Sequence, residues 1–200
     1  MKIISVSIYV LALVDTAVGF SSRLAHYFPS DVGVRSEHRW RVKYVNFEYG
    51  FSVIIPKGRV RTSPPTPWPQ HGVKIQLTKD GDSFLLANAD FSASDYSSLR
   101  EVVDSDIKEA ETSRSNLMVL GRRSERLGSL RAMLVILKYR DSKSGLTIVE
   151  VRVIGIRRHR NPEESVLYTL RLLTRQDRYH HDRRIFDQVL KSWRTRPMPK

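Results

Sequence analysis

Two hundred residues, 40% hydrophobic and 28% charged, make one globular domain of ordinary size and exclude a disordered chain. The absence of cysteine excludes disulfides, thiolate metal sites and a lipid-bearing N-terminal cysteine. The formal charge of +13 comes wholly from the C-terminal part: residues 1–112 hold 13 Lys and Arg against 13 Asp and Glu, whereas residues 113–200 hold 21 against 8.

The chain opens with Met1-Lys2 and an apolar run over residues 3–14, broken only by Ser5 and Ser7. As a helix this run spans ~18 Å, short of the ~30 Å hydrocarbon core of a bilayer. Ala17 and Gly19 follow at the positions a signal peptidase reads as −3 and −1. Residues 1–19 are therefore expected to be a signal peptide, with the mature chain starting at Phe20. Residues 20–38 are polar and aperiodic, contain Pro29 and Gly33, and read as a flexible linker. One domain is then expected over residues 39–196.

Residues 39–45 alternate basic and apolar side chains, which predicts a strand with Trp40, Val42 and Tyr44 inward. A second strand is expected over 51–55, ended by Pro56-Lys57-Gly58. The four prolines between Ser63 and Gln70 lack the N–H a sheet interior requires, so this segment is an exposed loop carrying Trp68. Residues 73–79 place Val73, Ile75 and Leu77 on one face, and Asp80-Gly81-Asp82 turns the chain into a partner strand over 84–91. A helix through about residue 112 follows, capped by Ser94 or Asp95. Its inward stripe is Tyr96, Leu99, Val103, Ile107 and Ala110, and its outer face carries Glu101, Asp104, Asp106, Glu109 and Glu111.

Three long strands are expected next, over 130–139, 146–156 and 166–174. The first is apolar on both faces and should lie centrally, covered on both. A closing amphipathic helix carries Ile185, Phe186, Val189, Leu190 and Trp193 on one stripe that needs a sheet to cover. Four strands, a helix, three strands and a closing helix, with short late turns, predict an α+β fold: an antiparallel β-sheet with helices on its faces.

Two segments carry a family resemblance. The run Tyr49-Gly50-Phe51-Ser52-Val53-Ile54-Ile55-Pro56 and the closing helix ending in Ser192-Trp193 resemble the PsbP-like superfamily in its exported bacterial branch. The resemblance implies an α/β/α sandwich on an antiparallel sheet. It implies little about the job, because members range from photosystem II extrinsic subunits to exported bacterial proteins and a nuclear import factor.

Catalytic chemistry finds no support in the residues. His180 and His181 would project about 100° apart on a helix, unlike the i, i+4 spacing of paired ligands. Ser192 lies about three helical turns beyond His181, out of hydrogen-bond reach, so no nucleophile–base pair forms. No catalytic, metal or cofactor residues are expected, and the chain reads as no enzyme. The candidate interaction surface is Trp68 on its proline-rich loop together with Arg157, Arg158 and Arg160 at a strand end. Arg122, Arg123, Arg126, Arg175, Arg178, Arg183 and Arg184 join them if the loops at one end of the sheet cluster. The expected function is an exported interaction domain that binds a protein or an anionic component of the envelope. The rival is a small-ligand or lipid carrier with an apolar pocket under the helices; a core filled by Leu134, Ile136, Phe186 and Trp193 would favour the first. No basic motif interleaved with aromatics is present, which disfavours nucleic acid as a partner.

Overall fold

Strands dominate because the alternating runs are long and the turns between them are short. The computed structural model describes residues 35–36, 41–56, 61–63 and 71–195, all within the unit Val32–Lys200. In order these residues form β1 (Arg35–Ser36), β2 (Arg41–Asn46), β3 (Phe51–Pro56), β4 (Arg61–Ser63), β5 (Gly72–Gln76), β6 (Phe84–Asp90) and α1 (Leu99–Ser113). Then come β7 (Ser115–Leu127), β8 (Leu130–Arg140), β9 (Thr147–Arg157), β10 (Val166–Arg175), α2 (Tyr179–Ser192) and β11 (Arg194–Thr195). The expected signal peptide, most of the expected linker, Trp40 and Trp68 lie outside the described residues.

The strands make two antiparallel sheets. The large one runs β4-β5-β6-β10-β9-β8-β7 and the small one β1-β2-β3-β11. The fold is thus α+β as expected, with a difference: the first strands build a separate small sheet rather than joining the large one. The chain closes that sheet itself, Arg194 and Thr195 pairing with Ser52 and Phe51. Within the expected linker, Arg35–Ser36 pairs with Val42–Lys43.

One face of the large sheet packs against the small sheet and α2. Leu134, Val153, Leu170 and Leu172 of the sheet meet Tyr44, Phe51, Val53 and Ile55 of the small sheet and Phe186, Val189 and Trp193 of the C-terminal segment. The opposite face packs against α1 over β8 and β9, where Val102, Val103 and Ala110 meet Val135, Leu137 and Ile154. β8 is therefore covered on both faces, although it lies next to the edge strand β7 rather than at the centre.

The helix ends explain their own positions. Ser98, not Ser94 or Asp95, caps α1: its Oγ accepts from the Glu101 N–H at 3.1 Å, and Glu101 in turn accepts from the Ser97 N–H at 2.6 Å. Residues Ser92–Asp95 form a separate 3-10 turn. At the far end of α2, the Ser192 Oγ accepts from the Ile54 N–H at 2.8 Å, and Trp193 stacks on Phe51 at 4.7 Å and 4°. The two segments that carry the resemblance thus touch directly, across 138 residues of sequence. Tyr168 completes the contact, donating its hydroxyl to the Tyr49 carbonyl at 2.6 Å while its ring meets Trp193 edge-on.

Candidate functional site

The ladder between β9 and β10 decides which arginines can meet. It pairs Arg157 with Val166 at one end and Ile148 with Arg175 at the other, nine steps apart. At ~3.3 Å per step that is about 30 Å, so Arg157–Arg160 and Arg175–Arg178 occupy opposite ends of the sheet and form no common patch.

Each candidate arginine also has its own commitments. Arg158 donates to the carbonyls of Ala93 and Tyr96, both at 2.6 Å, and so holds the turn before α1. Arg157 lies over the Tyr168 ring, 5.5 Å from its centroid. Arg160 is exposed. Arg175 forks onto Asp177 at 3.1 and 2.6 Å, an exposed local pair. Arg178 reaches Asp182 at 3.4 Å. Asp182 itself is buried and accepts from the Thr174 hydroxyl at 2.6 Å, so it anchors the start of α2 while His181 stays exposed.

A concave basic site does form: it brings Arg123, Arg126 and Arg183 of the expected cluster together with Lys191 and Arg194, which the sequence did not single out. The β7–β8 hairpin turns at Gly128-Ser129, on the same end of the sheet as Arg157. Gly128 has φ +64, a left-handed conformation that favours glycine, and a Cβ there would meet the Trp193 carbonyl oxygen at 3.2 Å and the indole Cδ1 at 3.3 Å. The hairpin can therefore lie close against Trp193 and the end of α2. Between them is a groove of about 440 Å³ whose lining includes Arg123, Arg126, Arg183, Lys191 and Arg194 against Glu125 and Asp187. Leu190, Trp193 and Gly128 supply its apolar part. Of the cations, Arg183 is committed to Asp187 at 2.9 Å, and Arg194 uses Nη1 on the carbonyls of Lys191 and Trp193 at 2.9 and 2.7 Å. Arg123 has only a 3.6 Å approach to Glu125, and Arg126 gives one donor to the Ser129 carbonyl.

A second charged cluster is closed rather than open. Glu150, with no side-chain exposure, sits among Arg114 at 2.5 Å, Arg152 at 2.6 Å and Arg171, and Arg152 also pairs with Asp106 of α1. Burial pushes the Glu150 carboxyl up, but the three guanidiniums outweigh it and hold it below the ordinary carboxylate range. The surrounding residues bind every acid in the cluster, so it serves structure. Asp106, expected on the solvent face of α1, is thereby turned inward. Among the described residues no group of three or more His, Cys, Asp or Glu is placed to hold a metal ion, and no helix is long and apolar enough to cross a membrane.

Comparison with known proteins agrees with this architecture. No family model matches the chain, and no curated protein matches its sequence. Solved structures that share its fold include two named proteins. Cyanobacterial PsbP from Synechocystis sp. PCC 6803 is 13% identical with a TM-score of 0.54, over 80% of this chain and 95% of that one. LpqN, involved in cell envelope biogenesis of Mycobacterium tuberculosis, is 13% identical with a TM-score of 0.58, over 82% and 95%. The PsbP-like fold implied by the Tyr49–Pro56 and Ser192-Trp193 segments is therefore the fold of this chain.

Proposed function

We propose that this chain is an exported, non-enzymatic interaction domain of the cell envelope or extracellular space that holds a protein or an anionic envelope component at the hairpin end of its large sheet. The observation that carries this reading is the groove beside Gly128, where five cations face two acids above an apolar floor. An excess of like charge in a concave site raises the local concentration of oppositely charged partners. The carrier reading is less well supported, because Leu134, Phe186 and Trp193, each 1% exposed or less, fill the space beneath α2, with the partly buried Ile136 packed against them. The fold shared with an envelope biogenesis protein is consistent with the proposed compartment.

Retention on heparin and on anionic vesicles across a salt series tests the binding. The wild-type protein should elute at higher salt than a variant carrying Arg123→Gln, Arg126→Gln and Arg160→Gln, since exposed charges act through a field that salt screens. Identical elution would remove the hairpin end as the contact surface. Export is tested by intact mass: protein from the extracytoplasmic fraction should lack residues 1–19 and begin at Phe20.

A further inference from the structure

We infer that the groove between the β7–β8 hairpin and the end of α2 recognises a phosphate group carried on an apolar stem. This inference rests on the binding reading above and specifies its ligand. The charge decides the head group. Arg123 and Lys191, with the donors Arg126 and Arg194 leave unused, outnumber the acids of the groove by more than one carboxylate would neutralise. A phosphomonoester brings close to two negative charges and three acceptor oxygens, and guanidinium forks match that geometry.

The floor decides the stem. Leu190 with the bare Cα of Gly128, backed by the fully buried Trp193 ring, forms an apolar base, and a volume of about 440 Å³ suits a small organic ligand rather than a lone ion. The negative end of α2 would oppose an anion here, but Arg194 covers it by donating to the carbonyls of Lys191 and Trp193. Trp193 also provides a reporter. Its indole N–H is buried with no acceptor, and it lies next round the ring from the Cδ1 that faces Gly128.

The test is an NMR titration of the full chain at fixed ionic strength with octyl phosphate, inorganic phosphate and octanoate. Octyl phosphate should saturably shift the Gly128 amide and the Trp193 indole N–H, binding at least ~10-fold more tightly than either control, which lack the stem or the second charge. Arg123→Gln with Lys191→Gln should weaken it by ~10-fold or more, while Arg175→Gln at the far end of the sheet should not. Among the described residues the Arg123 side chain has only its 3.6 Å approach to Glu125 and the Lys191 side chain no hydrogen bond, so a folded double variant is expected, and its amide spectrum checks this. Vesicles of phosphatidic acid against soluble glycerol phosphate then separate a lipid head group from a free ester; tighter binding to either supports a phosphate site. Shifts that never saturate, or equal affinity for octanoate, overturn the inference. If heparin retention persists in that case, the general binding reading survives and only the pocket is lost.

Discussion

The two faces of the large sheet are each covered by one amphipathic helix, yet they are held differently. Under α2 the contact is largely apolar: Phe51, Tyr168, Phe186 and Trp193 are fully buried, and the rings of Phe51, Tyr168 and Trp193 interlock. The few polar groups there act as pins, with Ser192 tied to β3 and Asp182 to Thr174. Under α1 the apolar contact is smaller, and beyond it the sheet buries Glu150 among three arginines. The comparison teaches that similar hydrophobic stripes give no measure of what a helix covers. One face draws its stability from area removed from water, and the other also depends on charges that must all be present together.

The largest effect that would break this picture belongs to the first face. Trp193→Ala removes a fully buried ring that stacks on Phe51, and should cost about 3–5 kcal/mol by chemical denaturation. A cost near that of an exposed substitution such as His181→Ala would mean that α2 is not locked to the small sheet.

The second face predicts a loss of similar kind through a different mechanism. Glu150→Gln removes the buried acid and leaves Arg114, Arg152 and Arg171 without their shared partner, which should cost about 3 kcal/mol at neutral pH. The pH dependence separates this from a packing defect. Because the folded carboxyl is held below its unfolded value, its stabilisation is fully present above the ordinary carboxylate range and is lost as pH falls through the lowered folded value. Wild type and Glu150→Gln should therefore converge in stability as pH is lowered below about 4, whereas wild type and Trp193→Ala should stay apart.

Much of this architecture is legible in the sequence, and the parts that are not share a cause. The α2 stripe, the Val73/Ile75/Leu77 face and the three strands after residue 130 follow from regular periods. β7 escapes a period-2 reading because its pairing with β8 shifts register between Ser115 and Met118 and again between Val119 and Gly121, and Asn116 adopts φ +54. The apolar residues Met118, Val119 and Leu120 are consequently exposed on an edge strand. The cap of α1 is ambiguous in sequence because Ser94, Asp95, Ser97 and Ser98 can all accept from a helix start. The small sheet depends on β3 meeting β11 across most of the chain, a pairing no local pattern announces. At the candidate site the basic excess is visible, but which arginines remain free is not. Arg122 is bound to Asp104 at 2.5 Å, whereas Arg123, one residue on, faces the groove. Trp68 lies outside the described residues, and its proposed contact role stands as an expectation.

The smallest expected effect concerns the strand-end arginines, which look equivalent in the sequence. Arg158 and Arg160 are both exposed, but only Arg158 ties the β9–β10 connection to the β6–α1 connection, giving its guanidinium to the Ala93 and Tyr96 carbonyls ahead of α1. Gln is too short to reach both carbonyls and carries no charge to strengthen either bond. Arg158→Gln should therefore cost about 1 kcal/mol, or ~2–4 °C in Tm for a domain of this size. Arg160→Gln should leave Tm unchanged while contributing to the fall in heparin retention. A thermal melt of each variant beside its salt elution profile makes the distinction: Arg158 should move the melt, and Arg160 only the elution. If Arg158→Gln melts with the wild type, the turn before α1 is held by the Ser98 cap and the Tyr96 and Leu99 packing alone, and the α1 face is less dependent on charge than its contacts indicate.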